Sequence, residues 1–224
     1  MNAMIKWRNL PGEHTELFSQ IGLRLLDEIS GVAPYGKIRI SLDIKDENGE
    51  WQKTGIKPLI TLSGVITYPG LERRAEVAGQ PIRHFRIRLD ADLYRPLYPP
   101  RTEGYEFEVA PYNDANLPQN IASKVVKNAF LTPATNYPFP VHIFVLYGDV
   151  RDAKGVKVAD ALVTEGAKER VLTDERGAFG LPLRWVQKNS PINITARDRE
   201  NRRTGMLNVI VPIDLGKNHT IVIS

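Results

Sequence analysis

The sequence predicts an all-β chain of two antiparallel β-sandwich domains in tandem. Apolar residues alternate with polar ones in several short runs, the period of a strand with one buried face. Turn signals built on Gly, Asp and Asn separate these runs, and no long stretch carries a helical period. A third sign is an echo: "TLSGVITYPGL" at 61–71 repeats the pattern of "TDERGAFGLPL" at 173–183. Self-similarity of this kind points to two copies of one small sandwich.

The elements follow in order. Residues 10–22 hold a turn at Pro11-Gly12 and few apolar positions, so a short lead-in with one helical turn is expected. "GLRLLDEISG" reads as a strand ending in a polar turn. In "KIRISLDIKDENGEW", Ile38, Ile40, Leu42 and Ile44 face one way, and Lys37, Arg39, Ser41 and Asp43 face the other. Asn48-Gly49 then supplies a hairpin turn. "RHFRIRLDADLY" alternates Phe85, Ile87 and Leu89 against His84, Arg86 and Arg88. "GYEFEVAPY" does the same with Tyr105, Phe107 and Val109. Residues 113–140 break the rhythm with prolines and asparagines and are expected to form a linker or crossover, with a short helix at "NIASKVVKNAF". Beyond it come "VHIFVLYGDVRDAKG", "ADALVTEG", "ERVLTD", "GAFGLPL", "PINITARD", "MLNVIVPI" and "HTIVIS", each a short strand. The predicted division is a first sandwich over 17–112, the linker over 113–140 and a second sandwich over 141–224.

The halves align in three places. "LRLLDEISGVAPYGKIRISL" matches "LYGDVRDAKGVKVADALVTE", the two echo stretches match each other, and "RHFRIRLDADLY" matches "SPINITARD". The second half resembles the carboxypeptidase regulatory-like domain of the transthyretin-like (prealbumin-like) group over about residues 143–224. Asp152, Gly155, Ala161, Thr173, Asp174, Gly177, Phe179 and Ala196 fill that family's pattern. The first half keeps Gly31, Gly64 and Tyr68 but has Leu62-Ser63 where Asp174-Glu175 stand. The resemblance implies two tandem transthyretin-like sandwiches, the first a diverged copy. Its motif residues have structural roles. The stretch 173–183 is expected to form a hairpin, in which Asp174 accepts backbone hydrogen bonds within the turn, Gly177 takes a positive φ at low cost, and Phe179 and Leu181 share one strand face.

Composition narrows function by exclusion. The 224 residues are 42% hydrophobic and 25% charged, ordinary for a globular protein. Thirty Lys and Arg against 26 Asp and Glu leave a net charge of +4, an excess that affects solubility more than it selects a nucleic-acid partner. "RDRENRR" at 197–203 alternates in sign and reads as a solvated turn. The absence of cysteine rules out disulfides and thiolate metal sites, and it fits a reducing compartment. No apolar run reaches the roughly 18 residues of a membrane span. The first sixteen residues lack the apolar core of a signal peptide, so a cytoplasmic location is expected.

No catalytic, cofactor or metal site is expected. His14, His84, His142 and His219 are scattered, and neither a nucleophile elbow nor a phosphate-binding glycine loop is present. Asp90 and Asp92 share a strand face as i and i+2 residues do by chance. Asp46, Glu47, Asn48 and Glu50 have oxygens suited to calcium, but a plain hairpin turn accounts for them. Within the transthyretin-like group the hydroxyisourate hydrolases end in Tyr-Arg-Gly-Ser. This chain ends "TIVIS", and the peptidase domain that accompanies the regulatory-like domain is missing from it. The expected role is therefore a non-enzymatic interaction or structural protein, a component or accessory of a larger protein assembly. The expected contact surface is "YRPLYPPRTEGYEF", with Tyr94, Arg95, Tyr98, Arg101 and Tyr105, because amphipathic aromatics and Arg concentrate at interfaces. The alternative is a carbohydrate-binding module that uses exposed aromatics such as Trp51, Trp185 and Tyr98, and a hydrolase ranks behind both.

Overall fold

The computed structural model describes residues 18–118 and 126–224. Every regular element among them is a strand. The first half contains β1 (Gly22–Asp27), β2 (Ile38–Lys45), β3 (Trp51–Lys53), β4 (Leu59–Ile60), β5 (Val65–Thr67), β6 (Arg83–Ala91), β7 (Tyr94–Pro96), β8 (Tyr105–Val109) and β9 (Lys127–Pro133). The second contains β10 (Phe144–Asp152), β11 (Leu162–Glu165), β12 (Glu169–Leu172), β13 (Ala178–Leu183), β14 (Pro191–Arg197), β15 (Thr204–Ile210) and β16 (His219–Ile223).

Each half is two sheets packed over its own core. The first half pairs a sheet of order β4-β5-β1-β9-β7 with one of order β3-β2-β6-β8. The second pairs β13-β10-β16 with β12-β11-β14-β15. These are one scheme used twice. β1 and β10 each pair antiparallel with a later strand, β5 or β13, and parallel with the last strand of the half, β9 or β16. The other sheets match as β3-β2-β6-β8 and β12-β11-β14-β15, antiparallel throughout. The first half adds β4 and β7, one at each end of its larger sheet. The three stretches aligned in the sequence occupy matching places in this scheme. One correction concerns direction: each half holds a parallel pair within its otherwise antiparallel sheets.

The period-two pattern sets which faces are buried. Leu42, Phe85, Ile87, Leu89 and Val109 enter the first core together with Leu23, Ile66 and Tyr68. Leu146, Val150, Val163, Phe179, Leu181, Ile194 and Ile221 build the second. Burying each such side chain stabilises by about 1.5–3 kcal/mol. Glycine makes room where sheets crowd: a Cβ on Gly148 would meet the Phe179 ring at 2.8 Å, across the β10–β13 pair.

One tight turn recurs. In Asp46–Glu50, Thr61–Val65, Asp152–Val156 and Asp174–Ala178, the first residue's N–H donates to the fifth residue's carbonyl. The fourth residue's N–H donates to the first residue's carbonyl, at 2.9–3.1 Å. That fourth residue is Gly49, Gly64, Gly155 or Gly177, with φ of 85°, 75°, 80° and 73°. The first side chain completes the turn: Asp174 Oδ1 accepts from the Arg176 and Ala178 N–H groups at 2.9 and 2.8 Å, and Thr61 Oγ1 accepts from Val65 N–H at 3.0 Å. Asp46 is used in the same way, which gives its carboxylate a structural role.

Three expectations need correcting. The stretch predicted as a linker or crossover, 113–140, contains β9, which lies inside the first sheet between β1 and β7. Ala129, Leu131 and Tyr137 belong to the first core. The helix expected over 120–130 has residues 120–125 outside the described residues, and from Lys127 the chain is strand. Most of the lead-in also lies outside them. Second, the turn at 174–178 is not a hairpin: β12 pairs with β11 and β13 with β10, so the turn carries the chain from one sheet to the other. Its echo at 61–65 does join paired strands, β4 and β5. Third, Asp43 and Arg86 stand on the face opposite the core and are nevertheless buried, because they neutralise each other at 2.9 Å.

Candidate contact surface between the halves

The residues predicted as a contact surface sit on β7 and on the loop that follows it. Tyr94 is buried at 2% exposure and is therefore no surface residue. Its hydroxyl donates to Asp27 Oδ2 at 3.3 Å and accepts from the Tyr35 N–H at 3.3 Å. Tyr137 donates to the same Asp27 oxygen at 3.0 Å, while Asp27 Oδ1 accepts from the Ile29 N–H at 2.7 Å. A buried carboxylate thus closes the first β-turn and anchors an aromatic cluster of Tyr35, Tyr94, Tyr137 and Phe139. Burial pushes the Tyr94 phenol up to about 12, and the Tyr137 phenol is raised by burial and by its bond to Asp27.

Tyr98 and Tyr105 are half-buried and pack edge to face at 5.2 Å. The Tyr98 hydroxyl accepts from the Leu89 N–H at 2.7 Å and donates to the Leu89 carbonyl at 3.1 Å. Tyr105 donates to the Leu97 carbonyl at 3.2 Å. Burial raises both phenols. Tyr98 thus fastens the β7–β8 loop to β6, and Tyr105 fastens it to β8. Arg101 is exposed, with φ of 64° in the left-handed region.

Arg95 does meet a partner, and the partner is the second half of the same chain. Nη1 donates to Glu175 Oε1 at 2.6 Å and Nη2 to Asp160 Oδ1 at 2.7 Å. The guanidinium holds the Glu175 carboxyl below the usual glutamate range. Further bonds run the other way. Arg170 Nε donates to Glu28 Oε1 at 2.8 Å, Arg184 Nη1 to the Ile29 carbonyl at 2.5 Å, and Arg199 to the Thr102 carbonyl. Beside this seam lies an open groove of about 1500 Å³, lined by both halves.

Sequence reasoning placed Arg95 on a contact surface and missed both its partners within the chain and the other seam residues. Asp160, Glu175, Arg170, Arg184 and Glu28 look like ordinary solvated charges, and only the fold brings them to the seam. The aromatics considered for sugar binding are largely committed. The Trp51 ring lies 4.7 Å from the Arg86 guanidinium, whereas Trp185 is 64% exposed. Asp90 and Asp92 both pair with Arg39. Of the histidines, His84 and His142 are exposed, His219 Nε2 lies 2.7 Å from the Asp214 carbonyl, and His14 is outside the described residues. Among the described residues no three His, Asp or Glu side chains converge as a metal site, and no helix is long and apolar enough to cross a membrane.

A second surface was not anticipated. β4 is a two-residue strand at the edge of its sheet, and the β4–β5 hairpin shows Ile60 at 59% exposure and the turn residue Leu62 fully open. Ile56 and Leu59 lie beside them, also exposed. From Leu59 to Tyr68 the chain carries no charge.

Neither the family models nor the curated proteins compared with the chain give a match. Solved structures give distant likenesses. The TIE protein of Bacillus anthracis is 12% identical over 90% of this chain and 32% of its own length, at a TM-score of 0.28. BcpA, the major pilin subunit of Bacillus cereus, is 11% identical over 91% of this chain and 68% of its own, at 0.27. A C-terminal fragment of the pilus adhesin SpaC from Lactobacillus rhamnosus GG is 10% identical over 91% and 87%, at 0.21. The chain spans about a third of the TIE protein's length.

Proposed function

We propose that the chain is a non-enzymatic structural or interaction protein built from two tandem β-sandwich domains, and that it works as a component of a larger protein assembly. The second domain, residues 141–224, is read as a carboxypeptidase regulatory-like domain, because its Asp174–Gly177 turn makes the bonds that motif implies. The first is its diverged copy, enlarged by β4, β7 and the loop around Tyr98.

One observation carries the interaction reading: the exposed apolar hairpin at the β4 edge. An edge strand offers unpaired backbone groups to an incoming strand. Proteins usually guard such edges with charge, and none stands between Leu59 and Tyr68. A protein partner adding a strand beside β4 would cover Ile60 and Leu62. By contrast, Tyr94, Arg95, Tyr98 and Tyr105 make their contacts inside the chain. Affinity capture from the native cell, with the whole chain and its Ile60→Lys variant as baits, tests this. The reading expects a protein held by the parent and lost by a variant of equal melting temperature. Identical captures, or none, would refute it. A glycan array is expected to stay blank.

A further inference from the structure

The two cores have no residue in common, so what holds the halves together is not a shared apolar interior. The described polar contacts across the seam centre on four arginines. Arg95 reaches Glu175 and Asp160 at 2.6 and 2.7 Å, and Arg170 reaches Glu28 at 2.8 Å. Arg184 bonds the Ile29 carbonyl at 2.5 Å, and Arg199 bonds the Thr102 carbonyl. Glu28 is turned inward, and its second oxygen is buried without a partner.

The chain between the halves is slight. After Phe139, which packs on the first core, Pro140, Val141 and His142 are exposed, and the second sheet pair begins at Phe144. The one backbone hydrogen bond found within this connection runs from the Ile143 N–H to the Pro140 carbonyl at 2.9 Å. The groove beside the seam has walls of opposite character. The first-half wall carries more base than acid, with Lys53, Lys57 and Arg95 beside the Arg39–Asp90–Asp92 group, Arg88 and Glu103, and the second-half wall more acid than base, with Asp160, Asp174, Glu175 and Asp198 against Arg199. These walls attract one another, and salt weakens that attraction where the charges are exposed to solvent.

We propose that the chain contains a salt-sensitive hinge: the arginine seam holds the halves in one orientation, and residues 140–143 are the pivot about which they part when the seam is screened or cut. Polar interfaces between domains of one chain permit relative motion unless a large apolar contact forbids it. The insertion that separates the first half from the second, β7 with its loop, supplies both Arg95 and the Thr102 carbonyl. Its place in the fold is thereby explained as the clamp side of the hinge. Opening widens the groove, and closure is the low-salt state.

The chain lacks cysteine, so Glu47→Cys and Asn218→Cys place one label on an exposed turn of each half without further change. The distance distribution between the labels is read in the full chain by single-molecule energy transfer. At 50 mM salt a single narrow population is expected. In 1 M sodium chloride, and in the Arg95→Ala/Arg170→Ala variant at low salt, the distribution is expected to broaden and shift. Exchanging the partners, Arg95→Glu with Glu175→Arg, is expected to recover part of the narrow population. A distribution unchanged by both salt and the double alanine variant overturns the hinge. So does one that is already broad in the parent at low salt. The salt series on the parent needs no variant to fold.

Discussion

Gly64 and Gly177 occupy the same position of the same turn, yet they are not equivalent. Both hold a positive φ, which an L side chain adopts at a cost of about 1–2 kcal/mol. Around Gly64 a Cβ meets nothing within 4 Å. At Gly177 it meets the Val150 carbonyl oxygen at 2.8 Å and the Val158 nitrogen at 3.1 Å, because this turn is packed against β10. Gly64→Ala is therefore expected to cost about 1 kcal/mol and Gly177→Ala clearly more, which parallel urea titrations will show. Asp43 is a second case. Its buried carboxylate faces Arg86 Nε at 2.9 Å and Arg88 Nε at 2.8 Å, and removing one partner of a buried pair costs about 3–5 kcal/mol. Asp43→Ala should approach that loss in denaturant titrations. Arg39→Ala, which breaks exposed pairs with Asp90 and Asp92, should leave the midpoint unchanged.

At the scale of elements, the strands were legible wherever apolar and polar residues alternate and a turn follows. β2, β6 and β8 lie where Leu42, Phe85, Ile87 and Val109 placed them. β9 was hidden. Its burial pattern is irregular, it is bounded by Pro133, and its parallel partner β1 lies about a hundred residues away, so no local hairpin announces it. Of the five predicted contact residues, Tyr94, Tyr98 and Tyr105 bond within the first half, Arg101 is exposed, and Arg95 alone reaches the second half. What Arg95 meets was unreadable, because Asp160 and Glu175 are turn residues of the other half. That meeting has a pH signature. Arg95 holds Glu175 below its ordinary value of 4.5, so the contribution is complete above that value and is lost as the pH falls through the lower folded value. Melting curves of the parent and Glu175→Gln are expected to differ at pH 7 and to converge in acid below pH 4.5. At the β4 edge, Ile60→Lys should change stability by less than about 0.5 kcal/mol, since Ile60 is mostly exposed.

For the whole molecule, the echo between 61–71 and 173–183 has a counterpart in the topology: the same seven-strand pairing appears in both halves. The additions of the first half, β4 and β7, fall at the two ends of its larger sheet, where they leave the core pairing undisturbed. Two cores without a common residue, joined through arginines, should unfold as two units. Segment-resolved native-state hydrogen exchange on the full chain tests this directly, with Ile87→Ala as the perturbation. The account predicts that protection falls across β1–β9, because Ile87 belongs to that core alone, and stays at parent level across β10–β16. An equal loss of protection in both halves would contradict it.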